Sequence, residues 1–94
     1  MNLNISQYGW TILTKDKCSY CSKVKDLIPE AKFIKCDDFL NKNRDLFLNN
    51  MKNIIGREYK KFPMVFLDKR FIGGFTETKK YVEELNTFND DLMF

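Results

Sequence analysis

The 94-residue chain has no histidine, only two prolines and four glycines, and three cysteines. An odd cysteine count excludes a fully paired disulfide framework within one chain. A structural zinc site needs four ligands, usually two cysteine pairs or a pair plus histidines. With no histidine, and only Cys36 to add to the pair Cys18 and Cys21, an intrachain zinc site is not expected. No apolar run approaches the roughly 20 residues that span a bilayer, so no membrane segment is expected. The opening MNLNISQYGW carries neither a basic region nor an apolar stretch, so no signal peptide is expected. Without one, the sequon at Asn4 reads as a chance match. The 16 basic and 13 acidic residues are interspersed and leave a net charge of +3. A dense Lys/Arg stripe with aromatics between is lacking, which argues against nucleic-acid binding. Repeats, low-complexity stretches and linkers are absent as well. A reducing, cytoplasmic setting is the expectation, and there a Cys-x-x-Cys pair reads as redox or metal chemistry before a structural bridge.

What is present fits one globular domain over residues 1–94. Apolar residues make up 44% and charged residues 31%, and nine Phe, four Tyr and one Trp supply area for a small core. Trp10 to Leu13 fits a buried strand. Ser19 to Ile28 fits a helix whose face carries Tyr20, Cys21, Val24, Leu27 and Ile28, with Pro29 ending it. Ala31 to Cys36 alternates as a second strand. Phe39 to Ile55 repeats Leu40, Phe47, Met51, Ile54 and Ile55 at helical spacing, and Gly56 supplies a C-cap. Met64 to Leu67 and Arg70 to Ile72 form a hairpin across Asp68-Lys69. Thr76 is positioned to N-cap a last helix burying Tyr81, Val82 and Leu85. The tail NTFNDDLMF either extends that helix or docks Leu92 and Phe94. The order β-α-β-α-β-β-α combines a parallel βαβ unit with an antiparallel hairpin, and helices on both faces make an α/β sandwich.

The stretch KDKCSYC places the cysteine pair where a strand hands over to a helix. Cys18 falls at or just before the first turn, where backbone N–H groups are unsatisfied and the macrodipole is positive. Lys15 and Lys17 add charge. Helix N-termini in such motifs lower cysteine pKa to about 3.5–7.5, and the thiolate is the attacking species in disulfide exchange. Cys18 is therefore the candidate nucleophile. Cys21, one turn later on the same side, suits a resolving thiol. Cys36 reads as a buried, inert thiol, with regulatory oxidation or dimer linkage as the alternative.

KDKCSYC together with KFPMVFLDKRFIGG resembles the glutaredoxin family over about Trp10 to Leu85. The shared features are Lys15 three positions before a Cys-x-Tyr-Cys motif, Pro63, a hairpin, and the pair Gly73-Gly74. Thioredoxins would show Gly-Pro between the cysteines and Trp before them, and this chain has neither. The resemblance implies a thioredoxin-like three-layer sandwich with a four-stranded mixed sheet. It also implies a cis bond before Pro63 and glutathione as reductant and partner. Glutathione carries two carboxylates and a thiol. Lys15 would take one carboxylate, Tyr20 would pack on the tripeptide, and the backbone of Phe62 before Pro63 would pair with it as an added strand. Gly74 would allow close approach, and Phe75, Thr76 and Glu77 would offer N–H groups to the γ-glutamyl carboxylate.

Lys61-Phe62 stands where the family usually has Thr-Val, which makes the wall bulkier. Phe75-Thr76-Glu77 replaces a small residue and two acids, leaving Glu77 to meet the glutathione amine. GREYKKFP is about two residues longer than usual, and Asn50, Arg57 and Lys60 are the candidates for the second carboxylate contact. Ser19 replaces the commonest proline. The implied activity is reduction of glutathione mixed disulfides and protein disulfides by an active monomer, with no tightly bound cofactor. The alternatives are a dimer holding a [2Fe–2S] cluster with two glutathiones through Cys18 of each subunit, and a dedicated redox partner of one client protein.

Overall fold

A computed structural model describes residues 3–92, with side chains through residue 85. Its elements are β1 (Trp10–Thr14), α1 (Ser19–Leu27), β2 (Lys32–Lys35), α2 (Asp37–Ile55), β3 (Met64–Leu67), β4 (Arg70–Gly73) and α3 (Phe75–Leu92). The sheet order is β2-β1-β3-β4, with β1 and β2 parallel and the other neighbours antiparallel. This is the expected thioredoxin-like arrangement.

Alternation along the central strands builds two cores. Leu13, Met64 and Phe66 pack with Phe47 and Met51 of α2 and with Cys36. Ile12 and Val65 point to the opposite face, against Val24 and Ile28, with Phe75 and Val82 of α3 beside them. Successive strand residues face opposite ways, so one short apolar strand serves both layers. A helix thus covers one face and two helices the other. Among the described residues no helix is long and apolar enough to cross a membrane.

Helix ends follow local chemistry. Ile28 N–H still reaches the Val24 carbonyl at 2.9 Å, and Pro29 follows. Gly56 takes the left-handed conformation (φ 94°) that closes α2. Asp68 and Lys69 both have positive φ (51° and 67°), the twist a two-residue hairpin requires. Gly9 braces that turn: its N–H donates to Asp68 Oδ1 at 2.7 Å, and its carbonyl accepts from Asp68 N–H at 3.0 Å.

Three expectations are corrected. The middle helix begins at Asp37 rather than Phe39 and is broken at Asn43 (φ −160°, ψ 90°). There the Asn43 side chain accepts from Leu46 N–H at 3.0 Å and caps the second segment. Ile54 and Leu85 are exposed, so neither belongs to the core. Thr76 does not cap α3. The Gly74 carbonyl accepts from Thr78 N–H at 3.1 Å, which makes Gly74 the N-cap, and Thr76 lies within the first turn. Of the tail, α3 continues to Leu92, while any docking of Leu92 or Phe94 lies outside the described residues.

Candidate active site

The strand-to-helix junction puts Cys18 at the N-cap of α1, in extended conformation (φ −121°, ψ 100°). Its Sγ accepts from the Cys21 N–H at 3.2 Å. Cys18 and Cys21 are joined as a disulfide with Cα atoms 5.2 Å apart. Cys18 is half-buried and Cys21 is 6% exposed, so the first sulfur is the accessible one. No acidic residue occupies the first turn of α1. Once the disulfide is reduced, that N–H, the helix dipole, and the charges of Lys15 and Lys17 all favour a thiolate on Cys18. The loop carrying both lysines is tied to α2 by the Asp16 N–H, which donates to Asp37 Oδ2 at 2.9 Å.

A cleft of about 580 Å³ opens at Tyr20, which lies between the two cysteines in sequence, with neither cysteine in its lining. Tyr20 and Phe62 line it together with Gly74, Phe75, Thr76 and Glu77. Six of the residues expected to bind glutathione therefore meet in one place, from three separate segments. Tyr20 stacks on Phe75 with centroids 5.7 Å apart, and Lys23 Nζ lies 5.0 Å from the Tyr20 ring centre. Phe62 stacks on Phe47 at 6.1 Å. The Phe62–Pro63 bond is cis, and Pro63 is buried behind the wall. Lys15 is outside this lining, but its Nζ stands 5.8 Å above the Phe62 ring. Arg57 and Lys60 line the cleft, whereas Asn50 is not among its lining residues.

Glu77 turns inward along its own helix. Its Oε1 accepts from the Gly74 N–H at 2.8 Å, the reciprocal half of a capping box. Gly73 (φ 138°) precedes it in a conformation that L side chains rarely adopt.

Tyr59 was absent from the expected residues and lines the cleft beside Arg57. It packs edge-on against Phe71 at 4.8 Å, under the Arg57 guanidinium at 5.6 Å. Burial raises its phenol pKa, the Glu77 carboxylate adds to the rise, and Arg57 opposes it. The available signal was an aromatic residue among cations four positions before Pro63.

On the other flank of the disulfide lies a second cleft of about 640 Å³, with Cys18 and Cys21 in its wall. Lys25 and Lys35, also unforeseen, line it. Lys25 follows Cys21 by one turn on α1, and that spacing was its signal. Lys35 ends β2, which parallel pairing sets beside β1. Cys36 is fully buried between β2 and α2. Burial, reinforced by Asp37, pushes its thiol up to about 12, so it stays protonated and inert. Among the described residues no group of three His, Cys, Asp or Glu side chains gathers as a metal site.

Comparison with known proteins agrees with this geometry. The family model described as Glutaredoxin matches residues 10–72. No curated protein matches the chain. Glutaredoxin 1 from Francisella tularensis, solved with cacodylate, is 26% identical with a TM-score of 0.69, over 84% of this chain and 96% of that one. The buckwheat glutaredoxin–glutathione complex is 23% identical, TM-score 0.65, over 80% and 68%. The holo form of glutaredoxin C1 from Populus tremula x tremuloides is 22% identical, TM-score 0.66, over 84% and 78%.

Proposed function

The chain belongs to the glutaredoxin family, and we propose that it is a glutathione-dependent dithiol oxidoreductase working on glutathione mixed disulfides and protein disulfides. The observation that carries the reading is Cys18 at the N-cap of α1, its sulfur facing the Cys21 N–H and bonded to the Cys21 sulfur. In the reduced protein, the Cys18 thiolate attacks the sulfur of a glutathione mixed disulfide. A Cys18–glutathione disulfide forms, and the substrate thiolate leaves. A second glutathione, as thiolate, then attacks the glutathione sulfur, which releases glutathione disulfide and restores the Cys18 thiolate. With a protein disulfide, Cys21 attacks Cys18 instead and expels the second client thiolate. The resulting internal disulfide is reduced by two glutathiones.

Glutathione fits the Tyr20–Phe62–Gly74 cleft. The half-buried backbone of Phe62 offers strand-like pairing, the α3 N-terminus with Thr76 favours one carboxylate, and Lys15 above Phe62 favours the other. Glutathione in the complex of the buckwheat neighbour supports this choice of ligand. Each step uses groups of one chain, so the protein works as a monomer, and its reduction by glutathione calls for a reducing, cytoplasmic compartment.

The test is glutathione-dependent reduction of a small glutathione mixed disulfide, coupled to glutathione reductase. Cys18→Ser should abolish turnover, and Cys21→Ser should keep or raise it. A folded, reduced wild-type protein with no turnover would overturn the reading and bring cluster binding or a dedicated client forward.

A further inference from the structure

We infer that the cleft on the Ser19–Ser22 flank of the disulfide is a docking surface for an acidic segment of a protein disulfide substrate. The inference rests on Cys18 as the attacking sulfur and concerns what the client presents around its own disulfide. The cleft holds about 640 Å³, and Lys15, Lys17, Lys25 and Lys35 surround its cysteine wall. Asp16 is the one acid in that lining, and its carboxylate is spent on Lys35 at 3.0 Å. Among the described residues no carboxylate lies within ion-pair distance of Lys15, Lys17 or Lys25. Like charges gathered around a concave surface raise the local potential and select a partner of opposite sign.

The cleft's chemistry narrows the partner further. It shares no lining residue with the Tyr20–Phe62 cleft, and with Lys15 given to a glutathione carboxylate it still keeps Lys17, Lys25 and Lys35, so glutathione and a client segment can approach Cys18 from two sides. Its one aromatic residue, Phe33, lies under Lys25 Nζ at 5.4 Å and offers no bare face for a nucleobase. The ligand must also bring a disulfide to Cys18, which a polypeptide does. Docking leaves the chemistry unchanged: Cys18 attacks one client sulfur, Cys21 then attacks Cys18, and two client thiols leave as the internal disulfide forms.

Two synthetic peptides with the same disulfide test this, one flanked by Asp and Glu and the other by Asn and Gln. The coupled assay runs at about 50 mM and about 0.5 M salt. For wild type at low salt, KM for the acidic peptide should be about five- to tenfold below that of the neutral one, and the gap should close at high salt. Lys25→Gln/Lys35→Gln should remove most of that preference while turnover of the small glutathione mixed disulfide stays within about twofold. Lys25→Gln alone serves if the double variant melts early. Equal KM values for the two peptides at low salt, or a preference untouched by the substitutions, would overturn the proposal. Anisotropy of a labelled acidic peptide on Cys18→Ser/Cys21→Ser protein, which can form no mixed disulfide, reads docking without turnover, so a failed redox reading and a failed docking site are told apart.

Discussion

Gly73→Ala tests how the end of β4 positions the cleft. Gly73 has φ 138°, a region that costs a non-glycine residue about 1–3 kcal/mol. A Cβ there would also stand 2.7 Å from Glu77 Cβ and 2.8 Å from both Glu77 Cγ and Oε1. Rotating the Glu77 side chain relieves the last two contacts and not the first, because Cβ is fixed to the helix. α3 must shift, and the Gly74 N–H···Glu77 bond is stretched or lost. A bond to a charged group is worth about 1.5–3 kcal/mol, less here because Glu77 is exposed. Together these give a loss of about 2–4 kcal/mol. For a domain of this size each kcal/mol moves Tm by about 4–8 °C, so thermal unfolding should occur roughly 10–30 °C lower. The comparison is Glu77→Ala, which loses the bond and leaves the backbone unstrained, and which should cost about 1 kcal/mol. Circular dichroism melts measure both, and the mixed-disulfide assay should show a raised KM for Gly73→Ala. Equal melting of the two variants, or a Gly73→Ala loss under about 3 °C, would refute the claim that this glycine sets the start of α3.

Lys15→Gln should raise KM for the glutathione mixed disulfide about three- to tenfold and flatten its salt dependence, since an exposed ammonium contributes through screened charge. Cys36 gives a pH prediction. Its folded pKa, about 12, lies above the ordinary 9.0, so the folded state holds the proton more tightly. The stability this contributes is whole below about pH 9 and is lost as pH rises toward 12. Cys36→Ala loses buried packing and should be less stable than wild type at neutral pH, and the gap should narrow above pH 9 in denaturant titrations, where only wild type carries the penalty of a buried thiolate. Iodoacetamide should label Cys18 of the reduced native protein fastest at pH 8, the nearly buried Cys21 more slowly, and Cys36 only after unfolding.

Much of the fold could be read from local pattern because it depends on neighbours in the chain. Met64 to Leu67 is apolar on successive residues and Trp10 to Leu13 is so apart from the buried Thr11, as strands covered on both faces must be. Pro29 and Gly56 end helices through their own backbone limits, and the Cys18-to-Cys21 spacing already put both sulfurs on one side of a helix. Asn43 was misread because the apolar period carries through it, while its side chain offers Leu46 N–H a competing cap. Thr76 lost its place as cap for a similar reason. The bend at Gly73 starts the helix earlier, and Glu77 reaches back to Gly74.

The site divides along the same line. The sequence by itself determined the reactive element, since a thiol at a helix N-terminus beside two lysines is a local arrangement. Only the tertiary structure decided what surrounds it. The β1–β3 pairing and the β3–β4 hairpin bring Phe62 and the Gly74–Glu77 turn to Tyr20, and the parallel β1–β2 pairing brings Lys35 to Cys18's other flank. Those residues are far apart along the chain. Their meeting depends on register and on two-sided core packing, which no short stretch of sequence encodes.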